Sequence, residues 1–230
     1  MKLKSLREEV WRMNRELPRQ GLVTMTSGNV SGRDPVSGLV VIKPSGVPYD
    51  ELTPADMVVV DMAGRVVEGK RNPSVDTISH LVVYRGREDI HGIVHTHSHY
   101  ATSFALLGRP LPVYLTAHAD EFGQAIPVTR FADAFPLEDV GNAILETLGD
   151  SRIPGVLLRN HGVFTFGPSA TAALKAAVMI EDIAHTCHLA LLLGRPRTLS
   201  PAQARKFYRR YHELYGQQAA ASAEQRGTGR

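Results

Sequence analysis

The sequence has little cysteine, little net charge and few aromatic residues. A single cysteine, Cys187, occurs in 230 residues, and tyrosine, phenylalanine and tryptophan together make up 7%. One cysteine excludes an intrachain disulfide and favours a reducing compartment. Basic residues exceed acidic ones by only three charges, so the chain lacks the strong positive excess that is typical of nucleic-acid-binding proteins. We therefore expect no nucleic-acid partner.

The sequence is also expected to lack a secretion signal and a membrane-spanning segment. Arg7, Glu8 and Glu9 stand where a secretion signal needs an apolar run. The longest alanine-rich segment begins at Ser169 and carries Lys175 among other polar residues, so by this reasoning it is too polar to span a membrane. These features predict a cytoplasmic protein with no membrane partner.

What remains is an ordinary globular composition. Hydrophobic residues make up 43% and charged residues 21%, and 230 residues suffice for one α/β domain with a substantial core. We expect a single domain over residues 1–217. The last residues, 218–230, are rich in alanine, serine, glycine and glutamine, which predicts a disordered tail.

The stretch from Gly92 to His99 carries the strongest chemical signal. Ile93 and Val94 predict a strand, and residues two apart on a strand point to the same face. His95 and His97 would then share a face and could hold one divalent transition metal. A His-x-His pair also occurs with one structural and one exposed histidine and no metal. Further candidate ligands are therefore needed to decide whether this pair binds a metal.

Two such candidates lie elsewhere in the chain. Asp76 falls in the first turn of a helix predicted to open at residues 73–76 with Ser74 as its N-cap, where it is either a ligand or a partner of the helix dipole. His161 lies between Asn160 and Gly162 at the junction of two apolar strands. Such a histidine either projects into a cleft or occupies a simple turn.

Three polar segments are candidates for substrate contact. A glycine-rich turn at residues 27–32 follows a predicted strand at 22–26, and a second turn at 43–46 follows a hairpin strand at 39–42. Together they offer Asn29, Lys43, Ser45 and backbone N–H groups to an anion, although each alone also describes an exposed hairpin turn. The segment 117–123 places His118, Asp120 and Glu121 between apolar runs, as expected for proton-transfer groups or for a polar loop.

Taken in chain order, these motifs resemble the class II aldolase and epimerase superfamily, which also includes adducin-like domains. The matching segments are residues 28–31, 43–46, 73–77, 95–97, 117–120, 161–162 and 215–217. Within the superfamily the pattern is most similar to the L-ribulose-5-phosphate 4-epimerase branch. The similarity extends over essentially the whole chain as far as Gln217.

The resemblance implies a fold and a site. The fold would be a three-layer α/β/α sandwich with a mostly antiparallel central sheet, assembled as a homotetramer with active sites at subunit interfaces. The implied ligands of Zn²⁺, or of another divalent metal such as Mn²⁺ or Co²⁺, are Asp76, His95, His97 and His161. The implied contacts to the substrate phosphate are Asn29, Lys43, Ser45, Gly46 and Ser74. Asp120 and Tyr215 would be the acid/base pair.

The reaction implied is 4-epimerisation of L-ribulose 5-phosphate to D-xylulose 5-phosphate by breaking and remaking the C3–C4 bond. A class II aldolase shares this chemistry and differs in releasing the fragments, so an L-fuculose-phosphate-aldolase-like lyase is the alternative. Asp76 favours the epimerase, because the phosphate aldolases of the superfamily carry glutamate there. Val75, Glu121 and Phe207 depart from the epimerase pattern. A non-catalytic adducin-like module would be expected to lack the histidines.

Overall fold

The computed structural model describes residues 1–133 and 135–215. Its α-helices are α1 (Lys4–Arg19), α2 (Thr77–Gly86), α3 (His99–Leu106), α4 (Thr116–Phe122), α5 (Asp139–Leu148), α6 (Ala170–Leu193) and α7 (Pro201–Leu214). Its strands are β1 (Asn29–Arg33), β2 (Val40–Ile42), β3 (Val58–Val60), β4 (Val66–Glu68), β5 (Gly92–Thr96), β6 (Gly155–Leu158) and β7 (Gly162–Gly167). Residues 216 and 217 of the last motif and the predicted tail at 218–230 lie outside the described residues.

The strands form one sheet in the order β4-β3-β2-β1-β5-β7-β6. Each of its strand pairings is antiparallel. Short connections make neighbours of β1 and β2, of β3 and β4, and of β6 and β7, as hairpins require. Strand β5 then lies between β1 and β7, which brings three distant parts of the sequence side by side.

Helices cover both faces of this sheet. On β2, Val40 and Ile42 belong to an apolar cluster that includes residues of α2, α3 and α5. Val41, between them, belongs to a second cluster with residues of α1 and the first half of α6. Because successive residues of a strand face opposite sides, this division confirms the three-layer α/β/α sandwich with an antiparallel sheet.

Helix α6 is long and apolar enough, by length and composition alone, to cross a membrane. An 18-residue window in it has a mean hydropathy of 1.4, so the expectation that its charged residues make it too polar was wrong on composition. The helix packs against β5, β7 and α3. Its buried residues include Ala173, Ala177 and Ile180, and packing against the sheet accounts for this part of its apolar surface, whereas Leu192 and Leu193 at its C-terminal end are exposed.

Three local predictions need correction. Residues 22–26 are not a strand, and most of the predicted turn at 27–32 belongs to β1, which begins at Asn29. The Tyr49 hydroxyl lies 2.7 and 2.8 Å from the Ser27 and Gly28 carbonyl oxygens, just before this strand. Ser74 does not cap α2, which begins at Thr77 with Asp76 in the N-cap position. The polar segment 117–123 lies mostly within a helix, α4.

Candidate metal centre and substrate cleft

The position of β5 gathers the predicted histidines. In the sheet register His95 lies opposite Asn29 on β1 and opposite Phe164 on β7. The short turn between β6 and β7 carries His161, and it closes through Asn160, whose φ of 59° lies in the left-handed region that asparagine tolerates. The turn therefore delivers His161 to the end of β5, where His95 and His97 are.

The three histidines form a compact cluster. One ring nitrogen of each of His95, His97 and His161 lies within 4.8 Å of the others. The Nε2 atoms of His95 and His97 are 3.0 Å apart. A tetrahedral ion about 2.0–2.1 Å from each nitrogen separates its ligand atoms by about 3.3 Å. The His95–His97 pair thus has about the spacing that one divalent ion requires, and His161 lies near enough to supply a third nitrogen.

The protonation of His95 also fits a metal ligand. Its Nδ1 lies 3.0 Å from the Val163 carbonyl oxygen. Because a carbonyl oxygen only accepts hydrogen bonds, Nδ1 carries the proton, and the Nε2 lone pair is left free to face the other histidines. Burial lowers the pKa of His95 to about 3, and partial desolvation of the more open His97 and His161 rings lowers their pKa values as well. All three are neutral at physiological pH, which is the form that binds metals.

The carboxylate of Asp76 is a negatively charged group beside the three histidines. Its Oδ2 accepts a hydrogen bond of 2.6 Å from Asn29 Nδ2. Burial acts to raise the pKa of Asp76, but the neighbouring His95 and His80 and the hydrogen bond from Asn29 outweigh it, so the pKa is lowered. The structure therefore keeps an ionised carboxylate beside the histidines, as a cation site needs.

The candidate phosphate contacts lie next to this carboxylate. Asn29 Nδ2 also lies 3.1 Å from Ser74 Oγ, and the Ser74 N–H donates to the Lys43 carbonyl at 3.0 Å. Lys43 is 2% exposed, with its Nζ 4.8 Å from the centre of the Tyr49 ring. Burial lowers the pKa of Lys43 to about 8. Asn29, Lys43 and Ser74 are thus contiguous, whereas Ser45 is more open.

The turn at Ser45 and Gly46 completes this group from the solvent side. Both residues are exposed, and Gly46 has a φ of +67° that favours glycine. An isolated β-bridge between Pro44 and Pro73 joins this turn to the segment that carries Ser74. In addition, Asn29 Oδ1 is buried without a hydrogen-bond partner in the described part of the chain. This group of residues therefore combines the Lys43 ammonium, the exposed backbone of Ser45 and Gly46, and the unpaired Oδ1 of Asn29.

The predicted acid/base pair lies elsewhere. Asp120 and Tyr215 line one cleft of about 460 Å³ together with Arg210, Tyr211 and Leu214. This cleft shares no residue with the histidine cluster. The fold therefore brings Asp120 and Tyr215 to the same cleft, while the candidate metal ligands form a separate group of the same chain.

Some polar groups near the site escaped the sequence reasoning. Ser31 Oγ lies 2.8 Å from both His80 Nδ1 and Tyr84 Oη, in a buried network behind Asp76. His80 follows Asp76 by four residues, a helical spacing that could have drawn attention to it. His118, a candidate for proton transfer, is instead buried with its Nε2 2.9 Å from the Gln124 carbonyl oxygen, so it stabilises the end of α4.

Comparison with known families decides the membership of the chain. Residues 8–188 match the model of the class II aldolase and adducin N-terminal domain. The chain belongs to this family. As a class II aldolase family member with an intact histidine cluster, it is an enzyme of the aldolase/epimerase superfamily, and a divalent metal is the cofactor that such enzymes use.

Solved structures of the family agree with the fold. An L-fuculose 1-phosphate aldolase is 30% identical, with a TM-score of 0.81, over 90% of this chain and 96% of that one. An L-fuculose-1-phosphate aldolase from Thermus thermophilus is 27% identical, with a TM-score of 0.68, over 84% and 98% of the two chains. YgbL from Klebsiella pneumoniae is 26% identical, with a TM-score of 0.72, over 90% and 99%.

Proposed function

We propose that this enzyme is a metal-dependent 4-epimerase of L-ribulose 5-phosphate, with D-xylulose 5-phosphate as product and zinc as its metal. The observation that carries the proposal is the histidine cluster with the short carboxylate of Asp76 beside it. Aspartate at this position, where the phosphate aldolases of the superfamily resemble one another in carrying glutamate, favours the epimerase branch. In this proposal His95, His97, His161 and Asp76 hold the ion.

The chemistry explains why these groups are needed. The carbon to be inverted has no acidic proton, so its configuration changes only if the C3–C4 bond breaks and the aldehyde fragment is attacked on its other face. The bound metal supplies the electron-withdrawing centre that makes this cleavage accessible. The chain's own ligands fix that centre: the hydrogen bond from His95 Nδ1 to Val163 orients one imidazole, and Asn29 orients the Asp76 carboxylate.

Proton transfer is assigned to Asp120 and Tyr215. The hydroxyl on C4 loses a proton as the bond breaks and regains one as it re-forms on the opposite face, so two groups on different sides of the substrate are required. A carboxylate and a phenol that share one cleft meet this need. Because this cleft is separate from the histidines of the same chain, the complete site needs a second subunit, and we propose a homotetramer with sites at its interfaces.

The phosphate is assigned to Asn29, Lys43, Ser45, Gly46 and Ser74. Holding the phosphate keeps the aldehyde fragment from leaving while it turns over. Lys43 gives the anchor a positive charge below pH 8, where its ammonium form predominates. The strength of this anchor would decide whether the fragment is retained, which gives epimerisation, or released, which gives an aldolase.

The second candidate is therefore a class II aldolase acting on another phosphorylated sugar. The similarity to L-fuculose 1-phosphate aldolases, one of them 30% identical over most of both chains, favours it. The same metal ligands and phosphate contacts would serve this reaction. The two functions differ in substrate and in the fate of the fragments.

One experiment separates them. The zinc-loaded enzyme is incubated with L-ribulose 5-phosphate and, in parallel, with L-fuculose 1-phosphate, and the products are resolved by chromatography. D-xylulose 5-phosphate without free fragments supports the epimerase. Lactaldehyde and dihydroxyacetone phosphate from the second sugar would support the aldolase and overturn the leading proposal. The His97→Ala variant, prepared identically, is the control for contaminating activity.

A further inference from the structure

Glu121 connects three helices beside the cleft of Asp120 and Tyr215. It follows Asp120 on α4, and its side chain is 11% exposed. One carboxylate oxygen, Oε1, lies 2.9 Å from Lys175 Nζ on α6 and accepts a 3.0 Å hydrogen bond from the Tyr211 hydroxyl on α7. A single half-buried oxygen thus links α7 to the helix that carries Asp120.

Tyr211 carries this connection on to Tyr215. Their rings stack with centroids 4.5 Å apart and planes inclined by 19°. Tyr215 follows the last residue of α7 with an extended backbone, and its N–H donates to the Tyr211 carbonyl at 3.0 Å. The residue is otherwise 70% exposed. The Tyr211 ring is therefore a packing surface for the Tyr215 phenol.

Lys175 reinforces the same arrangement. Its Nζ lies 5.7 Å from the centre of the Tyr211 ring, within the range of a cation–π contact, as well as beside Glu121. Because the ammonium group balances the Glu121 carboxylate, a second acidic side chain can lie directly next to Asp120. The three residues form one connected group, which we name the α7 latch: Glu121, Lys175 and Tyr211.

We propose that Glu121 is a positioning residue, which acts through Tyr211 to hold the Tyr215 phenol opposite Asp120. This inference rests on the proposed function, in which Tyr215 and Asp120 transfer protons. It assigns a role to a residue that departs from the epimerase pattern. In this proposal Glu121 does not contact the substrate, so it affects the position of the Tyr215 phenol and not the binding of the phosphate.

The first test uses single variants of the latch in the full-length, zinc-loaded enzyme. Glu121→Ala and Tyr211→Phe each remove the hydrogen bond, and we expect kcat to fall by about tenfold, since small misplacements of a reacting group have effects of this size or more. KM and bound zinc should stay unchanged, because the phosphate contacts and the metal ligands are elsewhere. Glu121→Gln keeps an oxygen acceptor and should restore kcat to within about twofold.

The second test asks whether Glu121 acts through Tyr215. In a Tyr215→Phe background, adding Glu121→Ala should cost no further activity, because the group that it positions is already gone. The matched control is Glu146→Ala on α5, which removes a carboxylate that pairs with Arg130, and it should leave kcat unchanged. An undiminished tenfold loss in the Tyr215→Phe background, or wild-type kcat in Glu121→Ala, would overturn the proposal.

A readout without turnover separates this inference from the proposed function. The enzyme is labelled with 3-fluorotyrosine, and the Tyr215 resonance is assigned by its loss in Tyr215→Phe. Glu121→Ala and Tyr211→Phe should shift or broaden that resonance, whereas Glu121→Gln and Glu146→Ala should not. A shifted resonance in an enzyme that fails to convert L-ribulose 5-phosphate would reject the epimerase and keep the latch. An unmoved resonance would reject the latch even in an active epimerase.

Discussion

Gly162 lies against His97 so closely that a methyl group added to the glycine would be 2.7 Å from the ring atom Cδ2 of the histidine. The same added carbon would lie 2.4 Å from the Thr96 carbonyl oxygen. The Thr96 carbonyl cannot move aside cheaply, so the segment at Gly162 would have to move relative to β5 and the His97 ring. Glycine at 162 is thus required by the close approach of Thr96 and His97 and not by its own backbone angles.

Gly162→Ala should therefore lower metal occupancy. We expect the variant to fold and to lose most of its zinc after dialysis against a weak chelator, because His97 can no longer point to the same place as His95. Zinc is measured by inductively coupled plasma mass spectrometry, and folding by circular dichroism. Gly194→Ala is the control, since an added Cβ there meets nothing within 4 Å. Full zinc content in the Gly162 variant would disprove this account of the cluster.

His97→Ala should abolish metal binding and turnover while leaving the fold intact. His97 follows the last residue of β5 and is exposed, so its removal leaves no cavity in the core. The expected change in unfolding free energy of the metal-free protein is within about 0.5 kcal/mol. His99→Ala changes an exposed histidine two residues further on and should retain zinc. Retained turnover in His97→Ala would refute the site.

Lys43→Met should stabilise the protein and weaken substrate binding. The folded-state pKa of Lys43 is about 8 and its usual value is 10.5, so burial disfavours the charged form, and this penalty is complete below pH 8. It diminishes as the pH rises from about 8 to 10.5, where the folded lysine has released its proton. We expect a gain of about 1–3 kcal/mol at pH 7 that shrinks towards pH 10.

Two measurements check the Lys43 prediction. Thermal melting of the wild type and the variant at pH 7 and pH 10 should show the gain mainly at the lower pH, while KM for the sugar phosphate should rise by about tenfold or more. Lys70→Met, at an exposed lysine, should change neither quantity. A destabilised variant, or one with unchanged KM, would argue against a buried phosphate anchor.

Mixed oligomers test whether the site spans two subunits. His97→Ala and Asp120→Asn should each be inactive alone. If each site takes its histidines from one subunit and Asp120 from its neighbour, co-expression at equal levels should restore about a quarter of wild-type activity, because a random ring places the two intact halves together at one interface in four. Activity of the mixture that stays at the level of the single variants would show that the halves belong to one chain.

The sequence predicted the parts of this fold that depend on local patterns. The β-branched residues before His95 placed β5 correctly, and period-two alternation put His95 and His97 on one face. The order of the motifs led to the family and so to the three-layer sandwich, which the structure confirms. Ser169, where the alanine-rich segment begins, is the N-cap of α6, and its hydroxyl accepts a hydrogen bond from the Ala172 N–H.

Features that depend on distant pairing could not be predicted from local patterns. The residues at 22–26 satisfied a strand pattern, yet they join no strand of the described sheet, because a local pattern does not show whether a partner strand lies alongside. Lys43 was expected in a solvent-exposed turn or at an anion, and its burial against Tyr49 follows only from the packing of the two loops. The roles assigned to the site residues remain predictions.

The hydrogen bond between His95 and the Val163 carbonyl links chelation to strand alignment. That carbonyl belongs to β7, and the histidine to β5, so the imidazole is oriented only when the two strands pair in their native register. A chain whose strands slipped by one residue would turn His95 to the opposite face of the sheet. An ion held by His95, His97 and His161 would therefore stabilise the native pairing of β5 with β7 over a pairing that had slipped by one residue.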